Sequence, residues 1–287
     1  MLGQRSKLFL LAFLAPAVII VFSTRVFPVV PVIFFSFSKT EALRIIKYVG
    51  LDNYVSLIHD PVFAQNVFST VIFVISTVGT TFLLSLAFSL LFKARDRVGN
   101  IFRTILLIGW VIMPTVWCSM WKFIFDTYYG VINGILYYLG ATERIGFFLS
   151  PGSAMAVLIF VASLRFIPFA YILLWPAVSG INPELYDAAM VDGATSRRMH
   201  LSITLPLIKP AMTIVLIMLT LYSLYVIEFP LLITNGGPAG ATEFLNLRLY
   251  NEAFRYWNFG YASAIGTIMF VVNIIVGYFY VRALREK

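Results

Sequence analysis

The sequence predicts an all-α membrane protein with six transmembrane helices and both termini on the cytoplasmic side. Three observations carry this. Of the 287 residues, 60% are hydrophobic and only 12% charged, with a mean hydropathy of +0.90, whereas a soluble domain carries about 25% charged residues. Six apolar stretches are separated by polar segments, and at ~1.5 Å rise per residue each can cross a hydrocarbon core about 30 Å thick. Of the 21 Lys and Arg residues, twelve fall in segments assigned to the inside and seven outside, while Arg25 and Arg165 lie within spans. That asymmetry follows the positive-inside rule. The +8 net charge therefore reports topology and not a nucleic-acid footprint.

The first span, Leu8 to Phe37, is apolar except for Arg25, and Pro16, Pro28 and Pro31 kink it. Arg5 and Lys7 precede an apolar run, as in a signal peptide, but the run is too long and lacks an A-x-A-like site, so an uncleaved helix is expected. Ser38 to Ala64 forms an external loop containing Gly50-Leu51-Asp52-Asn53-Tyr54. The second span, Val67 to Phe92, sets Thr70, Thr77 and Thr81 on one face, where hydroxyls join helices. The basic turn Lys93 to Arg97 ends it. In the third span, Phe102 to Phe125, the 3.6-residue period puts Trp110, Pro114, Trp117 and Trp121 on one face. Two readings stand for that stripe: aromatic platforms along a solute path, or aromatics that pack and face lipid. An external hairpin follows, with Tyr129-Gly130-Val131-Ile132-Asn133, and continues to Pro151.

The fourth span, Ala154 to Val178, carries Arg165 near its middle, where a charge is costly. It leads into a polar island from Asn182 to Pro210. Asn182 is a good cap, Pro183 suits the first helical position, and Glu184 and Asp187 place negative charge in the first turn. A short helix should start there and stop near Gly193, with a second segment from Thr195 toward Leu205 and the next span marked by Pro206 and Pro210. The fifth span, Leu207 to Thr234, carries Glu228 beside Tyr222, Tyr225 and Phe229. Thr234-Asn235-Gly236-Gly237-Pro238, Thr242 and Tyr250 follow it. The last span, Tyr261 to Val281, lines up Ser263, Gly266, Thr267, Asn273 and Gly277 on one stripe, which suits close helix packing and a polar path alike. Arg282, Arg285 and Lys287 close the chain.

Within the island, Asp187-Ala188-Ala189, then Gly193, then Ile203-Thr204-Leu205-Pro206 resembles the EAA loop of binding-protein-dependent ABC importer permeases. Asp187 stands where the family usually has Glu, and His200 where it usually has an aromatic. The G-L-x-N-Y, Y-G-x-x-N and T-x-G-G-P…T…Y strings resemble the sugar branch, the last of them the first permease subunit of maltose-type and glycerol-phosphate-type importers. The resemblance implies the type I ABC importer permease fold. Residues 1–65 would form a first helix and external loop, and residues 66–283 the permease domain. It implies that Glu184, Asp187, Ala188, Ala189, Asp192, Gly193 and Ala194, within the loop 182–206, dock on an ATPase. The implied partners are a second homologous permease subunit, an ATPase dimer, an extracytoplasmic solute-binding protein and the sugar itself, in the cell membrane.

No G-x-x-x-x-G-K-[ST] occurs, so ATP hydrolysis must come from another polypeptide. The two histidines, His59 and His200, fall in opposite compartments, and Cys118 is the only cysteine. Catalytic residues, a metal site and cofactors are therefore not expected. The candidates for the solute path are Tyr222, Tyr225 and Glu228, where apolar rings and an acceptor cluster as a sugar requires, together with Arg165 and Trp117. Arg165 and Glu228 are expected to pair or share a cavity. Glycerol phosphate or its diesters is the alternative solute, and a secondary transporter or channel the alternative class.

Overall fold

The computed structural model describes residues 4–41, 44–92 and 97–285. The greater part of the basic turn, residues 93–96, lies outside the described residues. The chain divides into two compact units. One comprises Met1–Pro61 with Arg248–Val272, the other Val62–Leu247 with Asn273–Lys287.

In the first unit, helix α1 (Gln4–Val21) passes through a π turn at Phe22–Val26 to α2 (Val29–Ser36). The loop expected here contains a short antiparallel hairpin, β1 (Ser38–Glu41) with β2 (Arg44–Tyr48), in an otherwise helical fold. Helix α3 (Asp52–His59) follows. The G-L-x-N-Y residues tie this loop to the end of α2. Asn53 Nδ2 donates to the carbonyls of Ser36 and Ser38 at 2.9 and 3.0 Å, and Tyr54 Oη donates to Ser36 Oγ at 2.7 Å.

The second unit contains α4 (Pro61–Leu91), α5 (Arg97–Val111), α6 (Pro114–Ile124), α7 (Val131–Tyr138), α8 (Pro151–Ser179), α9 (Pro183–Val191), α10 (Ser196–Met199) and α11 (Leu205–Tyr225). Helix α4 begins at Pro61, six residues before the expected start of its span. Helix α12 (Leu245–Tyr250) and α13 (Phe259–Arg285) complete the chain. Among the described residues, five helical stretches are long and apolar enough to cross a bilayer: Phe13–Ser36, Pro61–Leu91, Pro151–Ser179, Ser196–Thr234 and Phe259–Arg282. A sixth exists only if Ile101–Val111 and Pro114–Ile124, which meet at 101°, count as one. Helix α8 is the central helix of its unit. It packs on α5 and α11, and 67% of its apolar window is buried.

The third span is thus not the straight helix expected, and Trp110 does not share a helical face with Trp117 and Trp121. Proline has no N–H, and its ring clashes with the carbonyl four residues back. Pro114 therefore ends α5, turns Met113 to an extended ψ of 140° and opens α6 at its first position. The opposite correction applies to the island. Pro206 and Pro210 do not mark a boundary, because α10 continues through a π turn at His200–Thr204 into α11. The wider turn accommodates Pro206, whose ring would clash with the Ser202 carbonyl in a regular helix.

The other two sugar-branch strings also tie loops. Asn133 Nδ2 donates to the carbonyls of Asp126, Thr127 and Ile145, and its Oδ1 accepts from Ile145 N–H at 2.9 Å. Gly130 passes so close that an added Cβ would sit 2.2 Å from the Asp126 carbonyl. The Asp126 carboxylate accepts from the Tyr129 and Tyr128 amides, which hold it below the usual carboxylate range. That contribution to stability is present above its unfolded pKa and lost as pH falls through the folded value. After Thr234, the loop is closed by Thr242, buried, 2.7 Å from Thr234 Oγ1 and donating to Gly237. Helix α4 holds the same loop from the side: Asn66 donates to the Glu243 carbonyl at 2.7 Å, and Thr70 Oγ1 accepts from Leu245 N–H at 3.0 Å. Of the threonines expected to join helices, Thr70 does so. Thr77 and Thr81 are buried with unpartnered hydroxyls. Thr70→Val keeps shape and removes the acceptor, leaving Leu245 N–H unsatisfied at a cost of about 1–3 kcal/mol. The variant should aggregate at a temperature several degrees lower on heating in detergent, while Thr213→Val, at an exposed hydroxyl bonded only within its own helix, should not.

Candidate functional site

The unit's interior is organised by two interruptions in its spans, each with a proline four residues after the carbonyl it releases. At the first, Pro114 cannot donate to Trp110, and Arg165 from α8 takes over. Its Nη1 donates to Gly109 at 2.9 Å and its Nη2 to Trp110 at 3.5 Å. A cation at a helix C-terminus also suits the dipole. The guanidinium lies 5.7 Å from the Trp110 ring and 6.0 Å from Trp117 and is 8% exposed. Arg165 and Glu228 form no ion pair: Arg165 is bonded to carbonyls of α5.

The second interruption corrects the fifth span. Helix α11 ends at Tyr225, Val226 is extended with ψ 117°, and a π turn resumes at Pro230–Thr234. Pro230 cannot donate to Val226, whose carbonyl instead accepts from Asn246 Nδ2. Glu228 sits in the gap, half-buried, and its carboxylate accepts from Ile227 N–H at 3.1 Å. Because the helix is broken here, Phe229 departs from the expected tyrosine face: it is buried in the core, while Tyr222 and Tyr225 are 42% and 57% exposed.

An aromatic series joins the two interruptions. Trp110 stacks on Phe169 at 5.4 Å, Phe169 meets Tyr222 edge-on at 5.1 Å, and Tyr222 lies parallel to Phe166 at 6.3 Å. The structure thus brings Arg165, Trp110 and Trp117 to one end of this series and Tyr222 to the other. Trp117 is buried and its Nε1 donates to the Val161 carbonyl at 3.2 Å. Sequence reasoning missed Phe169 and Asn246. Pro230, four residues after Val226, was the available signal for the second interruption.

The polar island has the local structure its caps require. Asn182 Oδ1 accepts from Glu184 N–H at 3.1 Å at the start of α9. Gly193, at φ +76°, reverses the chain in open space, and Thr195 caps α10. Buried Thr204 closes the loop, 2.9 Å from Tyr186 Oη and 3.3 Å from His200 Nδ1. Asp187, Ala188 and Asp192 are exposed, and Ala189 and Ala194 partly so. Leu185, Met190 and Val191 are exposed as well, Val191 at 89%, which forms an apolar surface on an otherwise charged loop.

The described residues thus form a multi-span membrane fold with an exposed polar island and a buried polar-aromatic interior. No family model matches the sequence. The sulfoquinovosyl glycerol transport system permease protein SmoG of Agrobacterium fabrum is 32% identical over 289 residues, covering 100% of this chain and 92% of that protein. The trehalose/maltose transport system permease protein MalF of Thermococcus litoralis is 32% identical over 243 residues, covering 84% and 81%. A bacterial ABC transporter involved in the import of the acidic polysaccharide alginate superposes with TM-score 0.84 at 22% identity, over 98% of this chain and 96% of that one. The chain belongs to the ABC transporter permeases of the carbohydrate branch. It is a multi-pass membrane subunit and not itself an enzyme, and the secondary transporter or channel is set aside.

The bonding of Arg165 predicts how it responds to substitution. Exchanging the two charges, Arg165→Glu with Glu228→Arg, should not restore the expression and assembly lost in Arg165→Glu, because the partners of Arg165 are carbonyls. Arg165→Lys keeps the charge and loses the fork, for about 1.5–3 kcal/mol per charged hydrogen bond lost. Recovery of folded transporter by the double exchange would contradict this.

Proposed function

We propose that this subunit forms half of the translocation pathway for a mono- or oligosaccharide and transmits the action of a separate ATPase through residues 182–206. In this reading residues 66–283 are the permease domain, preceded by the first helix and outer loop of residues 1–65. The observation that carries it is the aromatic series ending at an interrupted span, with Tyr222, Tyr225 and Glu228 beside the gap. A sugar offers apolar ring faces to stack on aromatics and hydroxyls that seek acceptors, and pockets of this mixed kind suit small molecules. Helix ends at mid-membrane are where transporters expose backbone groups to a solute. The names of the relatives, which concern sulfoquinovosyl glycerol and trehalose or maltose, support a carbohydrate. Glycerol phosphate fits less well, since Glu228 repels a phosphate and Arg165 is buried and bonded to carbonyls.

A second, similar permease would supply the other half of the path. An external solute-binding protein would deliver the sugar, as a periplasmic protein accompanies the alginate transporter. For the ATPase, the exposed Leu185, Met190 and Val191 beside Asp187, Ala188 and Ala189 give a docking face whose apolar side chains are otherwise unexplained. Glu184, Asp192, Gly193 and Ala194 complete it.

Two experiments test these roles separately. Tyr222→Ala with Tyr225→Ala should lower uptake about tenfold, the effect of losing two aromatic contacts of about 0.5–1.5 kcal/mol each, with basal ATP hydrolysis and the binding protein's own affinity unchanged. Unaltered uptake would move the sugar contacts elsewhere. Gly193→Val forces a β-branched residue to φ +76° and should abolish uptake and weaken ATPase association, whereas Gly193→Asn, which tolerates this conformation, should retain most of both. A Gly193→Val transporter with normal substrate-stimulated hydrolysis would refute the coupling role.

A further inference from the structure

The hairpin that joins α6 to α8 carries a short helix whose exposed surface is apolar and aromatic. Helix α7 (Val131–Tyr138) is eight residues long, about 12 Å, and cannot cross a bilayer by itself. It starts at the end of a span. Buried Asn133 donates to the carbonyls of Asp126 and Thr127 at 3.2 Å each, just past the last residue of α6, Ile124. Ile132, Asn133 and Leu136 turn toward the protein, whereas Val131, Gly134, Ile135, Tyr137, Tyr138 and Leu139 are exposed. At about 100° per residue the exposed positions cover roughly 200° of the circumference. None of them is charged. Val131, Ile135 and Leu139, four residues apart, form an aliphatic strip, and Tyr137 and Tyr138, the second 91% exposed, lie along one flank of it.

We propose that α7 lies in the bilayer interface, with Val131, Ile135 and Leu139 in the acyl region and the hydroxyls of Tyr137 and Tyr138 among the headgroups. An apolar ring with a polar tip suits the level where hydrocarbon meets water, and a helix with one aliphatic side lies along that plane. The apolar surface also runs on from a span. Helix α6 exposes Val116, Met120 and Phe123 on one helical face, and exposed Tyr128 and Tyr129 follow. Arg144, exposed in the same hairpin, sets its guanidinium 5.5 Å from the Tyr128 ring, a pairing of the residue types that anchor spans at headgroup level. A fluid medium accounts for an apolar arc of this width better than a protein partner, which covers one face. A partner that comes and goes would also leave these side chains in water at each departure.

Site-directed spin labelling of the assembled transporter in vesicles of phosphatidylethanolamine and phosphatidylglycerol tests the proposal. The chain's single cysteine, Cys118, is buried, so the unsubstituted transporter supplies the background signal. A nitroxide on Ile135→Cys or Leu139→Cys should collide more with oxygen, which concentrates in lipid, than with a water-soluble nickel chelate. The order should reverse on Glu143→Cys, at an exposed charged position beyond the helix, and Tyr137→Cys should fall between. Nickel collisions in excess of oxygen at Ile135→Cys and Leu139→Cys would overturn the proposal, since the helix would then stand in water as a landing surface for a soluble partner. Low collision with both reagents at those two positions would overturn it as well, because a neighbouring subunit would then cover the face.

Discussion

Hydrocarbon offers no hydrogen bonds, so every backbone group released within a span must find a partner in the protein. Much of this unit's interior follows from that constraint. Two prolines, Pro114 and Pro230, leave the carbonyls of Trp110 and Val226 without their helical donors, and a side chain from another segment replaces each one: Arg165 from α8 and Asn246 from α12. Glu228 performs the complementary task for the Ile227 amide. Lys122 donates to the Leu232 carbonyl at 3.2 Å in the same region. Arg165, Asn246 and Glu228 are therefore first of all the partners of broken backbone, and their positions follow from where the breaks are.

The same accounting explains the sugar-branch strings outside the spans. Asn53, Asn133 and Thr242 each bond carbonyls of irregular backbone, where a side-chain amide or hydroxyl can replace the missing ladder. Gly130 adds clearance for a close carbonyl. None of these residues needs to touch a solute, which accounts for the strings marking a branch of the family without naming a sugar.

How much could be read in the sequence depended on the range of the physics. The placement of the apolar spans and the helix Pro183–Val191 rest on composition and adjacent caps, and both were legible. The tryptophan stripe was misread because a 3.6-residue period was carried across Pro114, although the proline itself announced the break. The fifth-span gap was legible only through Pro230, since Val226 and Ile227 are ordinary span residues. The partner of Arg165 was not legible at all: a buried cation suggests a buried anion, and only the packing of α5 on α8 shows that carbonyls satisfy it. Likewise Pro206 looked like a boundary because a π turn that absorbs a proline has no local signature.

That last feature has a mechanical side. Since α10, the π turn and α11 run on from Ser196 to Tyr225, thirty residues form one lever about 45 Å long. It starts three residues beyond Gly193, and its far tip carries Tyr222 and Tyr225 to the edge of the gap at Val226. A tilt of about 10° at the island would carry the tip through roughly 8 Å over this length. On the proposed coupling role, the break at residues 226–227 is where such a tilt would be absorbed, next to the Val226 carbonyl held by Asn246.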